Sequence, residues 1–330
     1  MGLAVAKGAL LCYYVRAQLP QNMATPPAKA LRWAIFLAYF MIYVVWGSTY
    51  FFIGEALAAL PPFLLGALRF SVAGLIILGF AKWRGEQVWR PALVRSSALC
   101  GMLLLFTDMA VIMLAQQYIS SSAEAILAAS TLIWITLMDV PMWKRNFRSP
   151  GVVFGVVGGM AGVMMLYWGE LNEPGSKGGD FGVLFFMIAC FAWSLGSLIS
   201  KYKASAHEGV NAWAGTAWQM LAAAAAFWLC SLCLGEPFAL HWGQVPPRVW
   251  GALAYLAFFG SILAYSSYVW LLKIRPATEV GTHAYANPFV AIVLGSCIGE
   301  DVITSSQWAG LSIILLSLFL VDRFCPLNHE

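Results

Sequence analysis

Apolar residues run in blocks of roughly twenty from about residue 33 to residue 322, parted by short stretches of Pro, Gly and charge. The hydrocarbon core of a bilayer takes about 20 apolar residues per helix. On that ruler the blocks predict ten spans, near residues 33–54, 62–82, 93–115, 121–140, 151–168, 181–200, 212–234, 249–272, 277–298 and 306–322. The period-2 alternation of membrane-barrel strands is absent. With no water in the lipid core to pair its amides, each block must satisfy its own backbone, which a helix does.

Composition agrees. Of 330 residues, 61% are hydrophobic and 10% charged, with a mean hydropathy of +0.77, whereas soluble domains carry about a quarter charged residues. The net charge of +4 would suit nucleic acid only if Lys and Arg shared a polar face. They sit instead in the short connections, so no nucleic-acid partner is expected. Lys7, Arg16, Lys29 and Arg32 precede the first span; Lys82, Arg84, Arg90 and Arg95 follow the second; Lys144, Arg145 and Arg148 the fourth; Lys201 and Lys203 the sixth; Lys273 and Arg275 the eighth; Arg323 the tenth. The opposite connections hold only Lys177 and Arg248. Positive residues favour the cytoplasm, so both termini are expected there, and a miscounted helix would flip the parity of every later loop.

Residues 1–32 read as a cytoplasmic N-terminal tail. MGLAVAKGALLCYYVRAQLPQN has no clear small-x-small cleavage site. Met23 would begin a short basic tail, so residues 1–22 are expected to be a mis-assigned start or a leader. Among the cysteines, Cys100, Cys190, Cys230, Cys233 and Cys297 fall inside apolar blocks. Cys230 and Cys233 have C-x-x-C spacing but lack the electropositive, accessible setting a redox or metal pair needs. No metal or cofactor is expected.

The chain repeats itself. Trp46-Gly47-Ser48 in the first span has a counterpart 147 residues on in Trp193-Ser194-Leu195-Gly196-Ser197 of the sixth. Arg69 in Ala67-Leu68-Arg69-Phe70 aligns with Gln219 at an offset of 150, and Ala129-Ser130-Thr131 with Ala286-Asn287-Pro288 at 157. Two five-helix halves follow, 33–172 and 173–324, with a short cytoplasmic tail at 325–330. An odd helix count inserts the second half upside down. The expected fold is therefore an all-α integral membrane protein with ten transmembrane helices, two inverted five-helix repeats around a central cavity.

WGSTYFFIGEALAALPPFLLGALRF, RPATEVGTHAYANPFVAIVLGSCIGE and Gln307-Trp308-Ala309-Gly310 resemble the EamA family of the drug/metabolite transporter superfamily, over roughly residues 33–322. The resemblance implies a permease of the bacterial-type inner (plasma) membrane, generally an exporter of small metabolites, amino acids or drugs. The proline usual in the family's fourth span is replaced around Ser130-Thr131, and the acidic residue usual after it is not evident in PMWKRNFRSP. Pro288 and Glu300 fit the pattern.

Ionisable groups inside spans are costly and default to function or to buried pairs. Arg69 lies about 10 Å into its span, where a guanidinium could grip a substrate carboxylate or phosphate, or pair permanently with Glu124 or Asp108. Glu279 and His283, spaced i, i+4, share a helix face; with Glu124 and Asp108 they could carry protons across, or merely keep a cavity mouth wet. Trp46, Gly47, Ser48, Thr49, Trp193, Ser197, Gln219, Tyr285, Asn287 and Pro288 complete the expected cavity lining, Pro288 because it frees a carbonyl in mid-helix. Asp139, beside Lys144 and Arg145, is expected at the membrane interface. Gly151, Gly155 and Gly159, with Gly158 and Gly162, and likewise Gly295 and Gly299, allow close helix approach, within the chain or in a homodimer. The partners expected are a small-molecule substrate and the lipid bilayer. A membrane enzyme finds no H-E-x-x-H, G-x-S-x-G or P-loop to rest on, which leaves a lipid-carrier flippase or a structural membrane partner as the other readings.

Overall fold

The computed structural model describes residues 28–115, 127–166, 180–204, 212–299 and 305–325, with no strand among them. The main helices are α1 (Lys29–Leu57), α2 (Pro62–Trp83), α3 (Pro91–Ile112), α4 (Leu127–Met138), α5 (Pro150–Leu166), α6 (Gly182–Tyr202), α7 (Ala212–Cys233), α8 (Pro247–Ile274), α9 (His283–Gly299) and α10 (Ser305–Phe324). Seven of them, α1, α2, α3, α6, α7, α8 and α10, are long and apolar enough to cross a membrane. An eighth span forms if Val140–Asn146 and the helix from Pro150, bent by 103°, are taken together. α4 is a shorter apolar helix, and residues 121–126 of its expected span lie outside the described residues.

Proline opens α2, α3 and α8, at Pro62, Pro91 and Pro247, each after an extended residue. Its missing amide costs nothing at a first turn. α2 and α7 end in the same way. Gly85 and Gly235 take left-handed φ values of 79° and 71°, and each is followed by a glutamate. Glu86 accepts the amide of Ala214, in the first turn of α7, at 2.8 Å, and Glu236 accepts the amide of Leu64, in the first turn of α2, at 2.7 Å. Each helix thus ends in a carboxylate that caps the start of the other, where exposed amides and the macrodipole favour negative charge. Burial pushes the Glu86 carboxyl above its ordinary pKa, against the lowering pull of the Ala214 and Trp213 amides.

The capped pair runs antiparallel along its length: Gly66 lies on Phe227 and Gly74 on Leu221. α5 packs lengthwise on α10, α3 on α6 and α7, α1 on α8 and α9, and α4 on α6. The expected glycine contacts in α5 are made inside the chain, Gly151 against Phe324, Gly155 against Val321 and Gly159 against the ring of Tyr285. That face is thereby covered by α10 and α9.

Among the described residues four helices relax into wider π-turns, at Met41–Val45 in α1, Met102–Thr107 in α3, Ser200–Ala204 at the end of α6 and Leu256–Tyr265 in α8. Such turns shift the side-chain register and free backbone carbonyls. Asp139, expected at the membrane interface, is buried at the end of α4 and accepts a 2.7 Å hydrogen bond from Tyr202.

Candidate functional site

Trp46 and Trp193, counterparts in the two sequence halves, meet inside the bundle with ring centroids 5.7 Å apart. Tyr268 of α8 and His283 of α9 close the group. Every pair among the four rings lies within 6.0 Å, Trp46 at 5.3 Å from Tyr268 and 5.2 Å from His283. Hydrogen bonds fix their directions. Trp46 Nε1 donates to the Gly260 carbonyl at 2.9 Å, Trp193 Nε1 to the Tyr268 hydroxyl at 3.0 Å, and that hydroxyl shares a 2.6 Å bond with Ser197. Edge-to-face aromatic pairs add about 0.5–1.5 kcal/mol each beyond their burial, so the group is a well-held surface with polar tips. Tyr268→Phe removes both bonds to its hydroxyl and is expected to cost about 1–3 kcal/mol, read as a lower unfolding temperature with the Trp46–Trp193 contact intact.

The neighbours of Trp46 divide their roles. Ser48 donates to the Val45 carbonyl and meets the Tyr255 hydroxyl, both at 2.7 Å, and Thr49 donates to the Trp46 carbonyl at 2.6 Å. Gly47 is spent on packing: a Cβ there would lie 2.6 Å from Cβ of Val290 on α9.

Arg69 is 7% exposed and reaches from α2 to the π-turn of α8, where Nε donates to Ser261 Oγ at 2.7 Å. Its Nη2 sits where a Cβ on Gly260 would come within 3.0 Å, so that glycine makes room for the guanidinium. No ion pair joins it to a carboxylate among the described residues. Pairing with Asp108 is not observed, and Glu124 lies outside the described residues. Gln219, the counterpart of Arg69, is wholly buried on α7; its carbonyl oxygen accepts from Tyr265 at 2.6 Å while Nε2 has no partner among the described residues. Both counterparts therefore address the same π-turn of α8, which also carries Gly260, the acceptor for Trp46.

Glu279 and His283 part company. Thr282 interrupts the helix between them. Glu279 receives Tyr39 at 2.7 Å and lies 3.5 Å from Arg275, whereas His283 joins the ring group and turns Nδ1 to the Val280 carbonyl at 3.0 Å. Arg275, in the connection after α8, is held above its ordinary pKa: burial opposes its charge, but Glu279, Tyr39 and Asp322 outweigh it. Asn287, oriented with its nitrogen inward, donates to the carbonyls of Ile42, Tyr43 and His283 at 3.0, 3.2 and 3.3 Å, serving the π-turn of α1. Pro288 is buried inside α9. Tyr285 turns instead to α5, donating to the Val156 carbonyl at 2.6 Å. Asp108 is half-buried where α3 returns from its π-stretch to α-helix.

Tyr268, Gly260 and Ser261 are structural members of this site that span-by-span reading passes over, because hydroxyls and glycines are unremarkable in apolar helices. The Gly85-Glu86 and Gly235-Glu236 caps did leave a signal, since they stand 150 residues apart like Arg69 and Gln219.

Apolar helices of spanning length, with buried polar and aromatic groups converging between them, define an all-α multi-pass membrane protein. Residues 32–168 and 180–322 each match the EamA-like transporter family, and the chain belongs to it. It is 32% identical over 293 residues to the uncharacterized inner membrane transporter YedA of Escherichia coli, covering 87% of this chain and 90% of that one. It is 23% identical to a probable amino-acid metabolite efflux pump of Escherichia coli, covering 85% and 92%. A solved crystal structure with 21% identity superposes with a TM-score of 0.73 over 88% of this chain and 96% of that one, which shows a shared fold. The protein is accordingly a multi-pass inner membrane transporter.

Proposed function

We propose that the chain exports a small organic solute, in the range of amino acids, metabolites or drugs, by alternating access through a site between α1, α2, α6, α8 and α9. The observation that carries this reading is the meeting of Trp46 and Trp193 beside Tyr268 and His283, with an arginine lacking an observed carboxylate partner bound to the same α8 turn that anchors Trp46. Flat rings can bed a solute and the guanidinium can take its anionic end. The likeness to a probable amino-acid metabolite efflux pump adds support for that solute class.

The architecture proposed is ten spans in two inverted repeats, 33–172 and 173–324, with both termini cytoplasmic. Tandem family matches support the division. So does the pairing of helices: α2 with α7 and α5 with α10 are each a helix with its counterpart, while α1 on α8 answers α6 on α3, and α1 on α9 answers α6 on α4. The reciprocal caps of α2 and α7 fit the same two-fold relation. A resistance screen tests the function: cells overproducing the protein are challenged with amino acids, analogues and drugs, and hits are repeated with Arg69→Ala. Protection that Arg69→Ala abolishes is expected; protection against nothing would overturn the export reading.

Proton coupling through Glu279 is part of the proposal. Tyr39 and Arg275 touch it, and Asp322, Lys201 and Cys325 lie within electrostatic range of this cluster. Glu279→Gln and Glu124→Gln are expected to flatten the pH dependence of transport in proteoliposomes. An unchanged profile in both would remove the proton from the mechanism.

A further inference from the structure

A crevice of about 260 Å³ opens between α1, the short helix Ala277–Gly281 that precedes α9, and α10. Tyr39, Tyr43, Glu279, Thr282 and Asp322 form its polar walls, and Leu318 and the exposed Phe319 its apolar rim. The donors among these side chains are already used. The Tyr39 hydroxyl is committed to Glu279, that of Tyr43 is paired with Thr282, and Thr282 donates to the Glu279 carbonyl. What remains toward the opening is acceptor capacity and ring faces. Arg275 is the cation that balances Glu279, and Asp322 has no ion pair among the described residues. Asp322 thus offers a carboxylate outside any ion pair among the described residues, with Arg275 and Lys201 in electrostatic range of the cluster, beside two tyrosine rings in edge contact at 5.5 Å.

We propose that this crevice binds a primary ammonium group. Three N–H donors on a compact cation match carboxylate and phenol oxygens, and the ring faces attract the charge. A quaternary ammonium brings charge without donors, and an anion meets only acceptors on these walls. Such a group can come from a phosphatidylethanolamine headgroup, entering past Phe319, or from a soluble amine. The inference stands apart from the proposed transport, because binding here is read without any solute being moved.

Two arms test it on the full chain. In the first, protein from mixed phosphatidylethanolamine and phosphatidylcholine bilayers is examined by native mass spectrometry for the lipid it retains. In the second, protein in phosphatidylcholine nanodiscs is titrated with ethanolamine, with tetramethylammonium as control, and its thermal unfolding followed. Selective retention of phosphatidylethanolamine supports the site with a lipid source; stabilisation by ethanolamine but not tetramethylammonium supports it with a soluble one. Asp322→Asn, at an exposed position that does not threaten folding, is expected to weaken whichever response appears by about tenfold, the scale of one charge-assisted hydrogen bond. Glu279→Gln should do the same. The proposal is overturned if neither arm responds, if tetramethylammonium acts as well as ethanolamine, or if both variants respond like the parent protein.

Discussion

Gly101→Ala is expected to cost the protein its fold in mild detergent, while Gly54→Ala and Gly79→Ala, each also adding one methyl group, leave it as stable as before. A Cβ on Gly101 would fall inside the backbone carbonyl of Gln219, at the crossing of α3 and α7. The obstacle is main chain, so no rotamer change relieves it, and α3 would have to lift off α7. Overpacking a core commonly costs about 1–3 kcal/mol even where side chains can yield; here the cost should exceed that range. Gly54 and Gly79 have nothing within 4 Å of the added carbon, and alanine in a helix is favoured over glycine by up to about 1 kcal/mol. Size-exclusion profiles and thermal unfolding of the three variants decide it. A well-folded Gly101→Ala protein would mean that α3 and α7 do not approach as described.

Arg69→Met is expected to abolish transport while leaving the unfolding temperature unchanged or raised. The guanidinium is buried with one neutral oxygen partner and no described carboxylate, an arrangement that stability alone does not favour. Replacing buried charge with an apolar side chain of similar volume is often neutral or stabilising, by about 1–4 kcal/mol. If Arg69 holds the anionic end of the solute, losing about 3 kcal/mol of charge-assisted contact lowers transport roughly a hundredfold. Arg69→Lys, which cannot present a planar fork, should fall between. Full transport by Arg69→Met would remove the residue from the site. A collapse in stability would instead reveal a structural partner.

The membrane class and most helices were legible from block length alone, and the family from a few motifs. The meeting of Trp46 and Trp193 left a signal too, in the matching motifs that carry them 147 residues apart. What escaped has identifiable physical causes. A π-turn adds a residue to the helical repeat, so the 3.6-residue period could not tell that Tyr39 and Tyr43 of α1 would reach Glu279 and Thr282, some 240 positions away. Thr282 breaks the helix that would have kept Glu279 and His283 on one face. Gly47 is expected to let backbones or substrate approach, but which neighbour comes close, Val290 of α9, is not written in the local sequence. The charged neighbours of Asp139 gave no sign that Tyr202, 63 positions on, would donate to it.

The two carboxylate caps, Glu86 on Ala214 and Glu236 on Leu64, sit at opposite ends of one antiparallel pair. Sliding either helix by a single residue, about 1.5 Å, would pull both carboxylates off their amides together. Twisting the pair as a whole disturbs neither. α2 and α7 are therefore pinned at both tips like a spindle of fixed length, and under the alternating access proposed above the pair would resist shear along its own axis.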